Sequence, residues 1–142
     1  FGSSESIFLE TFSDFGAADA ELLTKWGRIR EIRELVNKDI EVLRADGKLG
    51  ASLQAEVALT VAEDDYAVLS SLGADLKFVF ITSAITLVAG SALSTGASVT
   101  NGTKCERCWH YTDDVGADAT HSTLCGRCVS NLTGAGEKRS FA

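Results

Sequence analysis

The sequence contains the stretch Cys105-Glu-Arg-Cys108 and, after sixteen further residues, the similar stretch Cys125-Gly-Arg-Cys128. Together these stretches contain all four cysteines of the chain. A spacing of two residues lets the backbone turn back tightly, so that both sulfurs of a pair face one ion. Two such pairs supply the four ligands of a tetrahedral zinc site. The pattern therefore predicts one Zn2+ bound by Cys105, Cys108, Cys125 and Cys128.

Other roles for these residues must be weighed against zinc. Disulfide bonds are typical of small secreted domains, and a redox motif has one dithiol in a βαβ context. Two matched pairs fit neither pattern as well as they fit zinc. His110 or His121 could replace a cysteine as a ligand, although four cysteines already complete a tetrahedron.

The residues inside the two pairs support the same interpretation. Gly126 is expected to take a positive φ in the second turn, because it has no Cβ. Arg107 and Arg127 each precede the second cysteine of a pair, and we expect them to offset the negative charge of the thiolates. Four thiolates leave no open position on the metal. The metal is therefore predicted to be structural, and its segment to be disordered without it.

Composition places the chain among soluble globular proteins. Its 142 residues are 45% hydrophobic and 23% charged. The longest apolar run, residues 78–90, is interrupted by polar side chains and is shorter than the roughly 18 residues that span a bilayer. No membrane partner is therefore predicted. Because the chain starts at Phe1 and lacks methionine, we expect it to be a piece of a longer protein.

Charge is distributed unevenly along the chain. The formal net charge of −7 argues against a general nucleic-acid binder. Acidic residues dominate residues 1–24 and 46–103, whereas residues 25–45 carry six bases against four acids and residues 104–142 carry five of each. The basic side chains near the start of residues 25–45 could face RNA phosphates or form a solvated, salt-bridged surface. They are Lys25, Arg28, Arg30 and Arg33.

Residues 17–46 predict a long amphipathic helix. Asp19 is its expected N-cap and Gly47 the residue that follows its end, while Gly27 costs about 1 kcal/mol relative to alanine. Apolar residues recur at the helical period. They are Leu22, Trp26, Ile29, Ile32, Leu35, Val36, Ile40 and Leu43.

Large apolar residues also precede this helix. Ile7, Phe8, Phe12 and Phe15 lie among serines and acidic residues. A leader of sixteen residues cannot bury all of them alone. We expect them to pack on the core of the chain, with docking on upstream protein as the alternative.

A small sheet is predicted after the helix. Residues 53–62 alternate between apolar and polar side chains, which is typical of a half-buried strand. Asp64 or Asp65 is expected to cap a short helix, and residues 76–88 are expected to return as a strand. Residues 89–102 are rich in small side chains and predict a linker with room for one more short strand at its end.

The predicted fold class is α+β. A long amphipathic helix with a small sheet and a short helix occupies residues 1–102. A small four-cysteine zinc module occupies residues 103–142.

The same residues resemble a known protein family. The two cysteine stretches and the terminal Gly136-Glu-Lys-Arg-Ser-Phe-Ala142 resemble the C-terminal zinc module of bacterial isoleucyl-tRNA synthetases. Upstream, the resemblance extends to the segment that links that family's anticodon-binding helical bundle to its zinc module. It is carried there by Val36-Asn-Lys, Lys48-Leu-Gly-Ala-Ser-Leu-Gln-Ala-Glu-Val57 and Phe78-Val-Phe-Ile-Thr-Ser83.

The resemblance implies a class I aminoacyl-tRNA synthetase that joins isoleucine to its tRNA with ATP. The family's HIGH-like and KMSKS-like ATP signatures do not occur in this sequence, so ATP and the catalytic residues are expected in an absent core. In the family, the corresponding region lies against the anticodon arm of the tRNA and helps to position it. The implied partners are isoleucine tRNA and the remainder of the synthetase chain, in a cytoplasmic monomer.

Aromatic and basic residues of the zinc module are candidates for RNA contact. Aromatic rings stack on unpaired bases, and Lys and Arg bind phosphates. The alternative for Trp109, as for Tyr111, is that it covers the metal site. Lys138 and Arg139 are preferred because they lie on a tail that is expected to be free. The full set is Arg107, Trp109, His110, Arg127, Lys138 and Arg139.

Two alternative functions remain open. A similar four-cysteine module ends the formamidopyrimidine-DNA glycosylases, but that family predicts a basic helix-two-turn-helix region upstream. Residues 46–103 instead carry two bases against six acids. The other alternative is a zinc ribbon that binds proteins, which the acidic total slightly favours.

Overall fold

A computed structural model describes residues 6–9, 11–12 and 16–141. Within these residues the buried side chains form two hydrophobic clusters. The larger cluster lies between a long helix and a three-stranded sheet, and the smaller one surrounds the four cysteines. The predicted α+β fold, with its four-cysteine module at the end, is confirmed.

The long helix, α1, spans Ala20–Ala45. The Asp19 carboxylate caps its start and accepts the N–H of Leu22 at 2.9 Å. At its end, Gly47 takes φ 70° and donates its N–H to the carbonyl of Arg44 at 3.0 Å. Such a left-handed residue satisfies carbonyls that the helix leaves unpaired. Both predicted caps are therefore confirmed.

One face of α1 is buried against the sheet. Two predicted core residues are not buried: Leu22 is 50% exposed, two turns before the first buried position, and Leu35 is 36% exposed. Leu35 is rotated about 100° from its buried neighbour. The buried positions are Ile29, Ile32, Val36 and Ile40, with Trp26 and Leu43 at their edges.

Among Ile7, Phe8, Phe12 and Phe15, only the side chains of Phe8 and Phe12 are described, and neither reaches the core. The side chains of Phe8 and Phe12 are 93% and 101% exposed, so the expected packing of these two rings was wrong. Phe15 lies outside the described residues.

The sheet has the order β2-β1-β3, with β1 (Ala55–Val61) in the centre. Strand β2 (Ala84–Ala89) runs parallel to β1, and β3 (Ser94–Val99) runs antiparallel to it. Val57 lies opposite Ile85 on one side and Ala97 on the other. Alternate residues of β1 are buried, which confirms the predicted half-buried strand.

The connection from β1 to β2 is helical. It contains α2 (Glu63–Ser70), a 3-10 turn over Gly73–Asp75, and α3 (Leu76–Phe80). The predicted continuous strand over residues 76–88 is therefore wrong in its first half. Parallel neighbours need a crossover of about a dozen residues or more, and residues 62–83 provide it. Ile81 then takes φ 57° and ends α3 before the chain enters β2.

The acidic residues at the start of α2 have a different role from the predicted cap. The N-cap is Ala62, and Asp64 and Asp65 lie in the first helical turn. The Asp65 carboxylate binds the Arg28 guanidinium through two hydrogen bonds of 2.7 Å. This paired contact lowers the pKa of Asp65 and joins α2 to α1.

The one short strand expected within the predicted linker, residues 89–102, is present as β3, which begins earlier than expected and pairs with residues 55–60 of β1. Much of the predicted linker is therefore part of the sheet. The four-cysteine module follows. It contains the hairpin β4 (Thr103–Lys104) and β5 (Tyr111–Thr112), a 3-10 turn over Ala119–His121, and helix α4 (Gly126–Thr133). None of the helices in the described part of the chain has the length and hydropathy needed to cross a membrane.

Candidate metal centre

The first cysteine pair lies at the tip of the β4–β5 hairpin. The N–H of Cys105 donates to the carbonyl of His110 at 2.9 Å, and the N–H of Trp109 donates to the carbonyl of Cys105 at 2.9 Å. These bonds close a tight turn around Cys108. Both sulfurs of the pair therefore point to the same side.

The second cysteine pair lies at the start of α4. Cys125 is the N-cap residue and Cys128 lies in the first turn. Free N–H groups and the helix dipole favour negative charge at this position. The N–H of Cys125 also donates to Sγ of Cys105 at 3.4 Å, which links the two pairs.

The four sulfurs form a compact cluster. All four lie within 4.8 Å of one another, and Sγ of Cys108 is 3.7 Å from Sγ of Cys125. A tetrahedron with zinc–sulfur bonds of about 2.3 Å has edges of about 3.8 Å. All four residues are free cysteines, and Cys105, Cys125 and Cys128 are buried. The donor set and its size fit one structural Zn2+.

The thiols of the cluster differ in their affinity for protons. Burial raises the pKa of Cys105, but backbone N–H groups of Cys108, Cys125 and Arg107 outweigh it and lower that pKa to about 6. Burial raises the pKa of Cys125 to about 12, and it also raises that of Cys128. Since the thiolate is the form that binds metal, uptake of Zn2+ must release protons from the last two thiols.

The two arginines within the pairs lie beside the sulfurs, as expected. Nη1 of Arg107 is 3.8 Å from Sγ of Cys128. Burial opposes the charge of Arg127, but its contacts with the Cys108 sulfur and Glu137 raise its pKa further above the ordinary value. Both guanidinium groups can therefore balance part of the negative charge of a four-thiolate centre.

Gly126 contributes to the second turn in a different way from the predicted one. It is the first residue of α4, and it is not among the described residues with positive φ. A Cβ at this position would lie 2.7 Å from Oδ2 of Asp114. That oxygen accepts the N–H of Gly126 at 2.9 Å, and Oδ1 accepts the hydroxyl of Thr112 at 2.6 Å. Gly126 therefore permits the close approach of a carboxylate that holds the second turn.

The two predicted covering aromatics do not form the core of the metal site. Val115 and Leu124 pack against the buried cysteines instead. Trp109 is 61% exposed, takes φ 65° and is not among the residues packed against the cysteines. Tyr111 is half-buried in β5. The expectation that Trp109 covers the metal was therefore wrong.

Neither histidine belongs to the four-sulfur cluster. Nδ1 of His110 lies 3.3 Å from the carbonyl of Cys108, and burial lowers the pKa of this ring. Nδ1 of His121 lies 3.4 Å from Oδ1 of Asp118.

Three of the six predicted RNA-contact residues meet around Phe78 of α3. Cζ of Arg139 is 4.0 Å from the centre of the Phe78 ring, and Cζ of Arg127 is 4.8 Å from it. The His110 ring packs edge-on against Phe78, with ring centres 5.1 Å apart. Glu137 forms ion pairs with both arginines at 3.2 and 3.0 Å. The tail that carries Arg139 is therefore held, and the expectation of a free tail was wrong.

The other three predicted residues face outward. Arg107, Trp109 and Lys138 are exposed. Nζ of Lys104 lies 5.4 Å from the centre of the Trp109 ring.

Sequence reasoning missed Asp114, Glu137 and Phe78. Each acts through a partner that is distant in sequence or lies in another element, so no local spacing indicates it. The Asp113-Asp114 pair after β5 is typical of a turn, but its bond to Gly126 spans twelve residues.

Comparison with known proteins finds relatives that match almost the whole chain. Residues 102–131 match a family described as a zinc finger found in FPG and IleRS. The isoleucine–tRNA ligase of Azoarcus sp. (strain BH72) is 49% identical over 99% of this chain. The enzymes of the same name from Neisseria meningitidis serogroup A / serotype 4A and from Thiobacillus denitrificans are 46% and 47% identical over the same share. The chain spans only 15–16% of the length of these relatives. The chain is thus a homologue of one segment of the bacterial isoleucine–tRNA ligases and carries the zinc finger that FPG and IleRS share.

Proposed function

We propose that this chain is the tRNA-contacting end of an isoleucine–tRNA ligase. In this proposal residues 1–102 form a lobe next to the anticodon-binding helices, and residues 103–142 form a zinc module against the anticodon arm. The longer protein joins isoleucine to its tRNA with ATP, as a cytoplasmic monomer in protein biosynthesis. ATP and the catalytic residues belong to the rest of that protein, which is the second partner of this chain.

The exposed Trp109 is the observation that carries the tRNA-binding role. A tryptophan with positive φ is uncommon, and such a conformation costs of the order of 1–3 kcal/mol. The structure nevertheless holds this ring 61% exposed, with Nζ of Lys104 at 5.4 Å from its centre. An exposed aromatic face next to a cation suits an unpaired base and its phosphate.

The remaining sites of this proposal have distinct roles. Cys105, Cys108, Cys125 and Cys128 bind one structural Zn2+, which supplies folding energy and no open coordination position. Lys138 and Arg107, the latter beside the Cys128 sulfur, are exposed and can bind phosphates. His110, Arg127 and Arg139 contribute from the cluster around Phe78, where the net charge of the two arginines and Glu137 is positive.

Replacement of Trp109 in the complete ligase tests this function. Base stacking on an aromatic side chain contributes about 1–3 kcal/mol, so Trp109→Ala should raise the KM for tRNA by about five-fold or more. Trp109→Phe keeps an aromatic face and should have a smaller effect. Isoleucine-dependent ATP–pyrophosphate exchange requires no tRNA and should not change. An unchanged KM for tRNA, with zinc content intact, would contradict the proposal.

The salt dependence of tRNA binding tests the basic residues separately. Lys138→Glu with Arg139→Glu should weaken binding and flatten its dependence on salt, because fewer phosphate contacts release fewer counterions. Zinc content should stay the same. If the wild type and the double variant bind tRNA with equal affinity across a salt series, the result would favour a module that binds protein instead of RNA.

The DNA-glycosylase alternative rests on the zinc finger. The family match covers residues 102–131, whereas the ligases match 99% of the chain. The parallel β1–β2 pair and its helical crossover are also not the basic helix-two-turn-helix region that this alternative predicts.

A further inference from the structure

Three side chains of one short segment connect the lobe to the zinc module. This docking segment, residues 75–83, contains the end of a 3-10 turn, helix α3 and the turn before β2. Its side chains Asp75, Phe78 and Ser83 all contact residues beyond position 103.

Asp75 anchors the C-terminal tail. Its side chain is 7% exposed, and Oδ2 accepts the N–H groups of Ser140 and Phe141 at 2.9 and 3.0 Å. These two bonds lower the pKa of the carboxyl group. A buried carboxylate without hydrogen bonds is costly. Asp75 therefore strongly favours the observed position of the tail.

Phe78 joins the tail to α4. The guanidinium groups of Arg139 and Arg127 lie 4.0 and 4.8 Å from the ring centre, and Glu137 lies between their charges with ion pairs to both. A cation next to an aromatic face contributes about 0.5–1 kcal/mol when exposed and more when desolvated. The Phe78 ring and Glu137 thus hold two guanidinium groups close together, although their positive charges repel each other.

Ser83 joins the β4–β5 hairpin to the sheet. Its hydroxyl donates to the carbonyl of Leu53 and accepts the N–H of Tyr111 at 2.8 Å. Ser83 is 4% exposed, so both bonds are shielded from water. One hydroxyl therefore connects the residues before β1 to the first residue of β5.

Apolar packing does not replace these contacts. The larger cluster of buried residues and its packed neighbours end at Ala97, and the smaller cluster consists of residues from Cys105 to Cys128. The two clusters have no residue in common. The module is therefore held on the lobe by contacts outside these clusters, and those of the docking segment are among them.

We propose that Asp75, Phe78 and Ser83 are positioning residues that fix the zinc module and the C-terminal tail in one orientation on the lobe. They thereby hold Arg127 and Arg139 together on one surface. Only the use of that surface by tRNA rests on the function proposed above.

Residual dipolar couplings of the zinc-loaded 142-residue chain test the orientation directly. Residues 20–99 and 103–133 should share one alignment tensor in the wild type. Combining Asp75→Ala, Phe78→Leu and Ser83→Ala should give two tensors, with one zinc ion per chain retained. Two tensors in the wild type, or one tensor in the triple variant, would overturn the proposal.

Single variants cover the case in which the triple variant does not fold. Asp75→Ala should speed the exchange of the Ser140 and Phe141 amide hydrogens at least ten-fold, and Ser83→Ala should do the same for Tyr111. Asp64→Ala removes an exposed carboxylate from the first turn of α2 and serves as the matched control. Unchanged exchange in the first two variants would overturn the proposal.

Conservative replacement separates positioning from a general loss of stability. Phe78→Leu keeps an apolar side chain but loses the aromatic face. Phe78→Tyr keeps that face, so this variant should keep a single alignment tensor. In the complete ligase, Phe78→Leu should raise the KM for tRNA at least three-fold without changing ATP–pyrophosphate exchange, and Phe78→Tyr should restore it. Suppose that the alignment tensors change as expected while neither Phe78→Leu nor Trp109→Ala changes the KM for tRNA. In that case the positioning role stands and the proposed function fails.

Discussion

Asp114 acts on the metal centre without contacting a sulfur. Its two oxygens accept one bond from the Thr112 hydroxyl and one from the N–H of Gly126, which follows the first cysteine of the second pair. The first of these bonds is the main cause of the lowered pKa of this carboxyl group. Groups that orient metal ligands commonly change metal affinity by 10–100-fold. Asp114 therefore belongs to the zinc site, although it is not a ligand.

The Asp114–Gly126 contact predicts a non-additive pair of substitutions. Asp114→Ala removes the acceptor, and Gly126→Ala places a Cβ 2.7 Å from Oδ2 and displaces it. Each should weaken zinc binding about ten-fold in competition with a chelator. The double variant should bind zinc about as well as Asp114→Ala alone, because the same bond is lost once.

Asp113→Ala is the matched control for this cycle. Asp113 is an exposed carboxylate next to Asp114, and its substitution should leave zinc affinity unchanged. Additive losses in the double variant would show that Gly126 and Asp114 act on the metal site independently.

Sequence spacing predicted the four-sulfur cluster because each pair of cysteines is local. Two intervening residues determine how the chain turns, whatever surrounds it. The reason for Gly126 was wrong because it depends on Asp114, twelve residues away. The sequence left two roles open for Trp109, covering the metal and facing RNA, because the hydrophobicity of a residue does not indicate a positive φ.

At the level of elements, the sequence predicted α1 and β1 well and α3 poorly. The first two have clear periods of 3.6 and 2 residues over long stretches. Residues 76–88 instead contain short apolar runs interrupted by polar residues, for which helix and strand cannot be distinguished by period. The parallel pairing of β1 and β2 decides the outcome, since it requires a crossover that uses residues 76–80 as helix.

Two glycines of α1 and its cap predict opposite effects of the same substitution. Gly27 lies inside the helix, and a Cβ there would have no atom within 4 Å. Gly27→Ala should therefore raise the free energy of unfolding by about 0.5–1 kcal/mol. Gly47 has φ 70°, so Gly47→Ala should lower it by about 1–2 kcal/mol.

Urea unfolding of the zinc-loaded chain, monitored by helical circular dichroism, measures both changes. The pair forms its own control, because each variant adds one methyl group to an open position. Stabilisation by Gly47→Ala would contradict the helix end described here. Destabilisation by Gly27→Ala would mean that another part of the protein approaches α1 at this point.

For the whole molecule, stability comes from two separate sources. The thirteen buried residues of the larger cluster all come from α1 and from residues 49–80. The smaller cluster has only three buried residues, all of them cysteines. Apolar burial can therefore support the lobe, whereas the zinc module depends on its metal.

Removal of zinc should therefore unfold one part of the chain and spare the other. With a chelator and a reductant present, the amide hydrogens of Cys105, Trp109 and Val129 should lose their protection, since metal binding contributes roughly 10–16 kcal/mol in small zinc-finger peptides. Amides of α1 and β1 should remain protected and should still unfold cooperatively. The variant Cys108→Ser/Cys125→Ser, with zinc in the buffer, should behave like the chelated protein, because two ligands cannot hold the metal in the tetrahedral site. Loss of protection in β1 on chelation would show that the lobe depends on the zinc module, and that the docking segment transmits stability as well as orientation.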